Sequence, residues 1–316
     1  MNQTKRTYEE IELRERTPIE LIQSSLKGIF LSPTVLLLSL IKRRTGARFH
    51  AALSFIGIKL LFSKLAFSKK YNLIFRPMDS VRYFEFDFFW KTILNTPYNC
   101  KYLDISSPRL FTFRALKSGK VCSATIGNPD PDDLLQTNQF YRAAKIHHRA
   151  EFVKSTAVEL SRDEKLYDLI VCISVLEHIP SEFIEENLEA IWNMLLPGGT
   201  LCISVPCTTK TFDEYINIDE YGVYQNEHNG YVFGQTYYDS ELLHNRFFSR
   251  FGEPKRLQII IERNPNTFNN NRLEKLSSKN YPFWNESTFV AEGYNQFSSI
   301  SDINGNGVIA MEFQKK

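Results

Sequence analysis

The sequence predicts an α/β protein with a Rossmann-like, doubly wound, mostly parallel seven-stranded sheet, an antiparallel last strand and an N-terminal helical extension. From residue 98 onward, short apolar runs alternate with helix-like segments, which is the order of a parallel sheet with crossover helices. Two more strand-like runs follow a long insertion, an arrangement that adds antiparallel strands to such a sheet. Nearer the N-terminus, apolar residues recur at helical spacing in residues 8–27 and 51–70.

Each predicted strand has its own apolar run. The runs are 102–105, 121–126, 151–153, 169–175, 200–205, 257–262 and 307–313. Between the fourth and fifth runs, Pro180 opens a helix whose buried stripe includes Leu188, and Pro197-Gly198-Gly199 ends it. Another helix is predicted over residues 240–248, and residues 264–271 have the composition of a loop. We therefore expect an extension over residues 1–78 and an α/β domain over residues 79–316 with an insertion at 207–238.

Charge is divided unevenly along the 316 residues. Residues 21–78 contain ten Lys or Arg residues and no Asp or Glu, whereas the rest of the chain has 28 basic and 36 acidic side chains. The apolar residues among these positive charges suit either contact with an anionic membrane surface or a helical cap whose lysines lie in solvent. Nucleic acid is not expected as a partner, because the net negative charge of the chain outside residues 21–78 repels phosphate and no nucleic-acid-binding motif is present.

Cysteines and apolar runs bear on location. The five cysteines form no CxxC pair and none lies beside a histidine at metal-ligand spacing, so we expect reduced core thiols, a cytoplasmic protein and no metal site. The first apolar run begins near Ile29, behind a charged and polar segment, so no secretory signal is expected. Residues 29–41 are interrupted by Ser32 and Pro33 and are shorter than the roughly 20 apolar residues that span a membrane.

Parallel α/β sheets bind their ligands at the carboxyl ends of the strands, near the point where the strand order reverses. Four segments follow predicted strands at that edge. They are Asp-Ile-Ser-Ser-Pro-Arg at 104–109, Thr-Ile-Gly at 125–127, Ser-Thr-Ala at 155–157 and Ser-Val-Leu-Glu-His at 174–178. These segments supply most of the candidate site residues.

Residues 167–179 (YDLIVCISVLEHI) and 195–201 (LLPGGTL) resemble a known family in both sequence and spacing. They are similar to the fourth strand and the start of the fifth strand of class I S-adenosylmethionine-dependent methyltransferases, in the branch whose fourth strand ends in Leu-Glu-His. The resemblance covers about residues 98–206 and extends to the last two strands. It implies a Rossmann-like fold, S-adenosylmethionine as the cofactor and methyl transfer as the activity.

In that family, a glycine-rich loop after the first strand passes close to the methionine part of the cofactor. This sequence keeps the acidic residue as Asp104 but continues with Ser106, Ser107 and Pro108, so we expect an altered loop conformation. Asp104 either belongs to the cofactor site or caps a helix, and the two serines either contact the cofactor or form an N-cap pair. Arg109 either holds the cofactor carboxylate or pairs with Asp104.

The family's ribose and adenine contacts follow the second and third strands. Alignment by strand places Thr125 and Ile126 where an acidic residue binds the ribose hydroxyls, and a rearranged loop would bring Asp130 there. Thr156 and Ala157 stand where an aspartate often contacts the adenine amino group, a contact that a hydroxyl makes more weakly.

The fourth strand ends near Ser174, which we expect beside the cofactor, and is followed by the candidate catalytic residues Glu177 and His178. An imidazole titrates near neutral pH, so His178 suits a general base toward a substrate hydroxyl. Alternatively, His178 fixes the loop by bonding to backbone. Methyl transfer can also proceed by alignment of the nucleophile alone, without a dedicated base.

Two further segments are candidates for substrate contacts. Residues 215–238 contain six tyrosines and either cover the pocket as a lid or contribute packing. Residues 76–86 combine charged with aromatic side chains, and they either offer Arg82 and Glu85 to a ligand or dock on the sheet.

We therefore predict an S-adenosylmethionine-dependent methyltransferase that acts on an oxygen or nitrogen of a small molecule, saccharide or lipid-linked precursor. The alternative is a binding or scaffold protein of the same fold that has lost the cofactor site. A nucleotide-sugar or nicotinamide enzyme fits less well, because its pyrophosphate needs the glycines that this loop lacks. The sequence leaves the acceptor and the oligomeric state open.

Overall fold

A computed structural model of the chain describes residues 4–8, 17–217, 227–267, 269–270 and 286–316. The chain divides into two compact units. The α/β unit comprises residues 1–10, 89–259 and 296–316, and the helical unit comprises residues 11–88 and 260–295. Parts of the predicted first helix, of the insertion at 207–238 and of the loop at 264–271 lie outside the described residues.

Helices and strands alternate through most of the described chain. In order they are β1 (Thr4–Tyr8), α1 (Pro18–Ile41), α2 (Ala47–Lys59), α3 (Phe67–Phe75), α4 (Arg82–Asn95), β2 (Tyr102–Ile105), α5 (Leu110–Lys117), β3 (Ala124–Gly127), α6 (Pro131–Ala143), β4 (Ala150–Val153), α7 (Ala157–Ser161), β5 (Tyr167–Ile173), α8 (Ser181–Asn193), β6 (Leu195–Cys207), β7 (Phe212–Ile216), β8 (Glu227–His228), β9 (Tyr231–Tyr237), α9 (Ser240–Leu243), α10 (Ser249–Phe251), β10 (Arg256–Glu262), α11 (Glu286–Gly293), β11 (Tyr294–Phe297) and β12 (Gly307–Gln314).

Within the described residues, the main sheet has eight strands in the order β11-β10-β12-β6-β5-β2-β3-β4. The five strands from β6 to β4 run parallel, and β12 runs antiparallel to β6. The predicted Rossmann-like fold is therefore confirmed, and β11 adds an eighth strand to the seven predicted. The strand order reverses between β2 and β5, because the chain passes from β2 to β3 and β4 before it returns to β5 on the other side.

The apolar runs form this sheet because both of its faces are covered. In β5 all residues except Asp168 are buried, as expected for a central parallel strand. On α5, Phe113 is fully buried and its ring lies 5.5 Å from the ring of Tyr141 on α6. Four of the five free cysteines are buried and serve as small core residues, as predicted: Cys100, Cys172, Cys202 and Cys207.

Several element boundaries differ from the sequence prediction. Residues 51–70 form two helices, α2 and the start of α3, with a turn between them. Pro197-Gly198-Gly199 lies within β6, where Gly198 N–H donates to Lys315 O (2.8 Å), because antiparallel pairing with the chain's end extends the strand. The predicted helix at 240–248 changes at His244–Phe248 into a π-helical turn, a feature that apolar spacing does not reveal.

A second, small sheet has the order β1-β7-β9-β8 and includes the N-terminal strand. We refer to β1, β7, β8 and β9 as the small sheet. β1 runs parallel to β7, and the guanidinium of Arg6 lies 3.9 Å from the centre of the Phe212 ring. β1 thus pairs with the insertion that was predicted as a lid, and it includes Tyr8, the first residue of the predicted helix at 8–27. Residues 9–16 of that predicted helix lie outside the described residues.

The helical unit contains α1 and the helices that hold it. α1 begins with a capping box between Thr17 and Glu20 and continues for 24 residues through Pro33. The apolar run at 29–41 is therefore only the second half of a longer helix than predicted. By length and composition alone, α1 could cross a membrane, although core helices and N-terminal signal sequences pass the same test.

Candidate functional site

The carboxyl ends of β2 and β5 lie side by side at the reversal of strand order, where sheets of this type bind ligands. Ser106 follows β2 and Ser174 follows β5, and both have left-handed backbones with φ of 50° and 48°. A residue other than glycine adopts this conformation at a cost of about 1–2 kcal/mol, and such residues cluster at functional sites. The loop after β2 thus keeps the left-handed backbone that favours glycine at Ser106, although the residue itself is serine.

Asp104 lies beneath this loop and is 2% exposed. Its carboxylate accepts hydrogen bonds from the Ser107 N–H (2.9 Å) and from the Thr112 hydroxyl on α5. Burial raises the pKa of Asp104 to about 6, against the opposing effect of these hydrogen bonds. These bonds do not form a helix cap, because the N-cap residue of α5 is Arg109, which has no side-chain cap hydrogen bond. The other predicted role of Asp104, in the cofactor site, stays a prediction.

Ser107 ties the loop to β5 rather than forming an N-cap pair with Ser106. Its hydroxyl donates to Val171 O (3.3 Å) and accepts from Ile173 N–H (3.0 Å). Ser106 instead continues the pairing with β3, donating its N–H to Gly127 O (2.8 Å). The two serines thus anchor the turn to the strands on either side of β2.

Arg109 pairs with Asp133 on α6 rather than with Asp104, which corrects one of its two predicted roles. A second guanidinium nitrogen donates to Gln136 Oε1 (3.0 Å). The other oxygen of Asp133 accepts from the side-chain amide of Asn128 (3.0 Å). Arg109, Asp133 and Asn128 therefore form a chain of polar contacts that links the loops after β2 and β3.

The second strand ends later than the sequence predicted. β3 ends at Gly127, so Asn128 is the first residue beyond it and Thr125 lies two residues before its end. Thr125 approaches Glu151 (3.4 Å) in a surface pocket lined by the first residues of several strands, at the amino edge of the sheet. Ile126 is buried. Sequence reasoning missed Asn128, because it searched for a carboxylate and placed the start of the strand three residues, and its end one residue, too early.

Asp130 and Thr156 both cap helices at the carboxyl edge. Asp130 accepts hydrogen bonds from the N–H groups of Asp132 (2.8 Å) and Asp133 (3.3 Å) at the start of α6. Thr156 forms a capping box with Glu159, and Ala157 is the buried first residue of α7. Both caps place the amino ends of their helices at the edge where the ligand is expected.

Glu177 and His178 belong to a single 3-10 turn, Leu176–His178, directly after β5. His178 Nδ1 lies 2.6 Å from Gly234 O on β9, so Nδ1 carries the proton and Nε2 is the basic nitrogen of the neutral ring. Nε2 lies 4.0 Å from Glu177 Oε1, and Glu177 is 3% exposed. The predicted backbone bond of His178 is therefore present, and it fixes the tautomer that a general base requires.

The small sheet adds polar groups that sequence reasoning missed. Asp213 on β7 is buried and accepts a hydrogen bond from the Thr236 hydroxyl on β9 (2.8 Å). Burial raises the pKa of Asp213, while Thr236 and the charge of Arg246 act to lower it. Arg246 lies in the π-helical turn, over the ring of the buried Tyr238. Of the six tyrosines, the structure describes four, and Tyr215, Tyr237 and Tyr238 are buried as packing predicts.

Arg82 and Glu85 lie within the helical unit and pair with each other at 2.5 Å. Glu85 is fully buried, so the ion pair is part of the packing at the start of α4. A contact of these two side chains with a ligand stays a prediction.

The sheet order and the polar edge at the β2–β5 reversal define a Rossmann-like α/β domain. Residues 113–252 match a family described as a methyltransferase domain. The matched residues run from α5 to the residue after α10. No curated protein matches the chain.

Solved structures similar to the chain include three proteins of low sequence identity. A coclaurine N-methyltransferase bound to N-methylheliamine and SAH is 14% identical, covering 94% of this chain and 99% of that one with a TM-score of 0.49. The MccD protein is 15% identical, with coverage of 74% and 97% and a TM-score of 0.49. A S-adenosylmethionine-dependent methyltransferase from Clostridium acetobutylicum is 12% identical, with coverage of 79% and 97% and a TM-score of 0.43.

Proposed function

We propose that the protein transfers a methyl group from S-adenosylmethionine to an oxygen or nitrogen of a small molecule, saccharide or lipid-linked precursor. The observation that carries this proposal is the pair of left-handed serines, Ser106 and Ser174, on the two strands that flank the reversal of strand order. Backbone strain at such a position points to a site where the chain approaches a ligand closely. The match of residues 113–252 to a methyltransferase domain supports the same reading.

The residues at the carboxyl edge fit the cofactor. The turn at Ser106 has the left-handed conformation that brings backbone close to the methionine part, and the Asn128–Asp133 pair offers an amide and a carboxylate to the ribose hydroxyls. The capped start of α7 at Thr156 offers polar groups to the adenine amino group. When bound, S-adenosylmethionine supplies an electrophilic methyl group on a positively charged sulfur.

His178 is the residue that we assign to proton transfer. Its bond to Gly234 O keeps the proton on Nδ1, so Nε2 accepts the proton that the methylated oxygen or nitrogen loses. The carboxylate of Glu177, 4.0 Å from Nε2, stabilises the imidazolium that results. Because Gly234 belongs to β9, the small sheet sets the orientation of the base.

A specific feature favours the scaffold alternative. The polar groups of the β2 loop bond to protein: Asp104 to Thr112, Ser107 to β5 and Arg109 to Asp133. A protein that had lost its cofactor would be expected to satisfy these groups internally in this way. The two functions make opposite predictions for ligand binding.

Calorimetric titration of the full chain with S-adenosylmethionine and with its demethylated product tests the proposal. We expect saturable heat and a raised melting temperature; no heat and no shift at millimolar ligand would leave the scaffold function. Asn128→Ala should weaken binding, whereas Asn99→Ala, an exposed site just before β2 at the opposite edge, should not. If Thr125→Ala weakens binding and Asn128→Ala does not, the strand alignment from sequence is right and the assignment of Asn128 is wrong.

A further inference from the structure

We propose that the helical unit binds the surface of an anionic lipid bilayer, using α1, α2 and residues 60–67. This inference does not depend on the proposed function, since it concerns a different part of the molecule. It starts from α1, which buries its small residues and exposes its large apolar ones.

The buried residues of α1 are Ser24, Gly28, Ser32 and Ser39. They form a stripe that docks within the helical unit, where the Ser39 hydroxyl bonds to the Ser287 hydroxyl (2.7 Å) and the Tyr71 hydroxyl donates to Ser25 O (3.0 Å). The exposed residues include Ile19, Leu21, Ile22, Leu26, Ile29, Phe30, Leu31, Leu37, Leu38 and Ile41. A helix on a water-facing surface has the reverse pattern, whereas small residues between helices and apolar residues outside are typical of lipid-facing helices.

The exposed apolar surface continues beyond α1. On α2, Phe55 and Ile58 are 58% and 52% exposed, and on the following residues Phe62 and Phe67 are 101% and 73% exposed. Scattered exposed apolar residues are ordinary, but many on neighbouring elements of one unit indicate an interaction site.

The positive charge of residues 21–78 indicates which kind of partner this surface binds. Residues 21–78 have ten basic and no acidic side chains, and Arg48, Lys59 and Lys64 are exposed among the apolar residues just described. Lys59 Nζ lies 4.3 Å from the centre of the Phe55 ring, so charge and apolar surface share one face of α2. Apolar groups beside positive charge complement an anionic bilayer surface, with acyl chains beneath the head groups.

The docking of α1 also indicates how it lies. Its contacts at Ser25 and Ser39 are 14 residues apart, which is about 21 Å along the helix axis, and both join it to the helical unit. Because both contacts hold α1 against the same folded unit, the proposal places α1 along the membrane surface rather than across the bilayer.

Flotation of the full chain with vesicles tests the proposal. Neutral phosphatidylcholine vesicles are compared with vesicles that also contain about 30% phosphatidylglycerol, at about 50 mM and about 500 mM salt. We expect at least about tenfold stronger partitioning to the anionic vesicles at low salt, and a marked loss at high salt. Absence of binding to anionic vesicles at low salt would overturn the proposal.

Two variants separate the apolar and the charged contributions. Phe62→Ser should lower partitioning by about tenfold, and Lys64→Gln by about fivefold at low salt only. Leu135→Ser is the matched control, because Leu135 is 59% exposed but lies on α6 in the α/β unit. An equal loss in the control overturns the assignment of the surface.

Two further results would also contradict the proposal. Lipid-free self-association that Phe62→Ser abolishes, measured by light scattering, would assign the surface to a second protein copy. Resistance of vesicle-bound protein to alkaline carbonate would show a helix that spans the bilayer instead of lying on it. Circular dichroism checks that each variant is folded. We expect Phe62→Ser to fold normally, because Phe62 is fully exposed.

Discussion

The α/β unit and the helical unit place their apolar and polar side chains in opposite ways. In the α/β unit, Phe111 and Phe113 are fully buried, and the buried Asp104 bonds to its neighbours. In the helical unit, α1 buries serine and glycine while Phe30 is 74% exposed. The α/β unit therefore buries most of its large apolar side chains, whereas the helical unit exposes many of them, as the proposed membrane contact requires.

The largest expected difference between the units is in how much stability the protein loses when a phenylalanine is replaced by alanine. Phe113→Ala should lower the free energy of unfolding by roughly 3–5 kcal/mol, because it leaves a cavity beside Phe140 and Tyr141. Phe62→Ala should change it by less than about 0.5 kcal/mol, because that side chain is fully exposed. Urea unfolding followed by circular dichroism measures both. A large loss from Phe62→Ala would mean that the residue packs in solution and that the contrast is wrong.

A glycine pair tests whether backbone packing supports the helical unit. Gly46 and Gly119 both have φ of 73°, but an added Cβ at Gly46 would lie 2.5 Å from Tyr83 O, whereas at Gly119 it would meet nothing within 4 Å. Gly46→Ala should therefore cost about 3 kcal/mol, the sum of backbone strain and overpacking, and Gly119→Ala only about 1 kcal/mol. Equal melting temperatures for the two variants would show that the close approach at Tyr83 relaxes easily.

The buried carboxyl of Asp104 gives the α/β unit a pH dependence. Burial raises its folded pKa from 3.8 to about 6, so its proton stabilises the fold below about pH 4, and this contribution is lost as the pH rises through about 6. Asp104→Asn cannot ionise, so between about pH 4 and pH 7 the wild-type protein should lose roughly 2–3 kcal/mol of stability relative to this variant.

Urea unfolding at several pH values measures this difference, with Asp132→Asn on the exposed first turn of α6 as the control. Parallel stability curves for the wild-type protein and Asp104→Asn would show that Asp104 is better solvated than its burial implies. The contrast between a polar interior in one unit and an apolar exterior in the other would then be weaker.

The sequence predicted the sheet well because burial on two faces leaves a clear signal. All seven runs became strands, and the Leu-Glu-His segment lies directly after β5. It predicted α1 poorly, because Ser32 and Pro33 interrupt the apolar run but not the helix, whose small residues form the buried stripe. Burial of serine is the opposite of what hydrophobic periodicity assumes, so periodicity gave the wrong length.

The candidate site was predictable in location but not in detail. Strand ends placed Ser106, Ser174 and His178 at the carboxyl edge, as the fold requires. The left-handed φ of the serines and the bond from His178 to Gly234 depend on partners 21 to 56 residues away, which no local pattern specifies. Arg109 likewise pairs with a distant residue, Asp133 on α6, whose position is set by the cap that Asp130 forms at the start of that helix.

The smallest expected effect on stability concerns Ser106, where two substitutions distinguish the role of the backbone conformation from that of the side-chain hydroxyl. Ser106→Gly removes the cost of a left-handed serine but adds flexibility to the unfolded chain and loses a weak bond to Gly127 O (3.4 Å), so stability should change by less than about 1 kcal/mol. Ser106→Val should instead cost about 2 kcal/mol, since a branched side chain opposes φ of 50°. If the turn serves the cofactor through its backbone, calorimetry should show that Ser106→Gly binds S-adenosylmethionine as tightly as the wild-type protein and that Ser106→Val binds it more weakly. Loss of binding in Ser106→Gly would mean that the hydroxyl is the ligand, and that glycine-like geometry is incidental to this site.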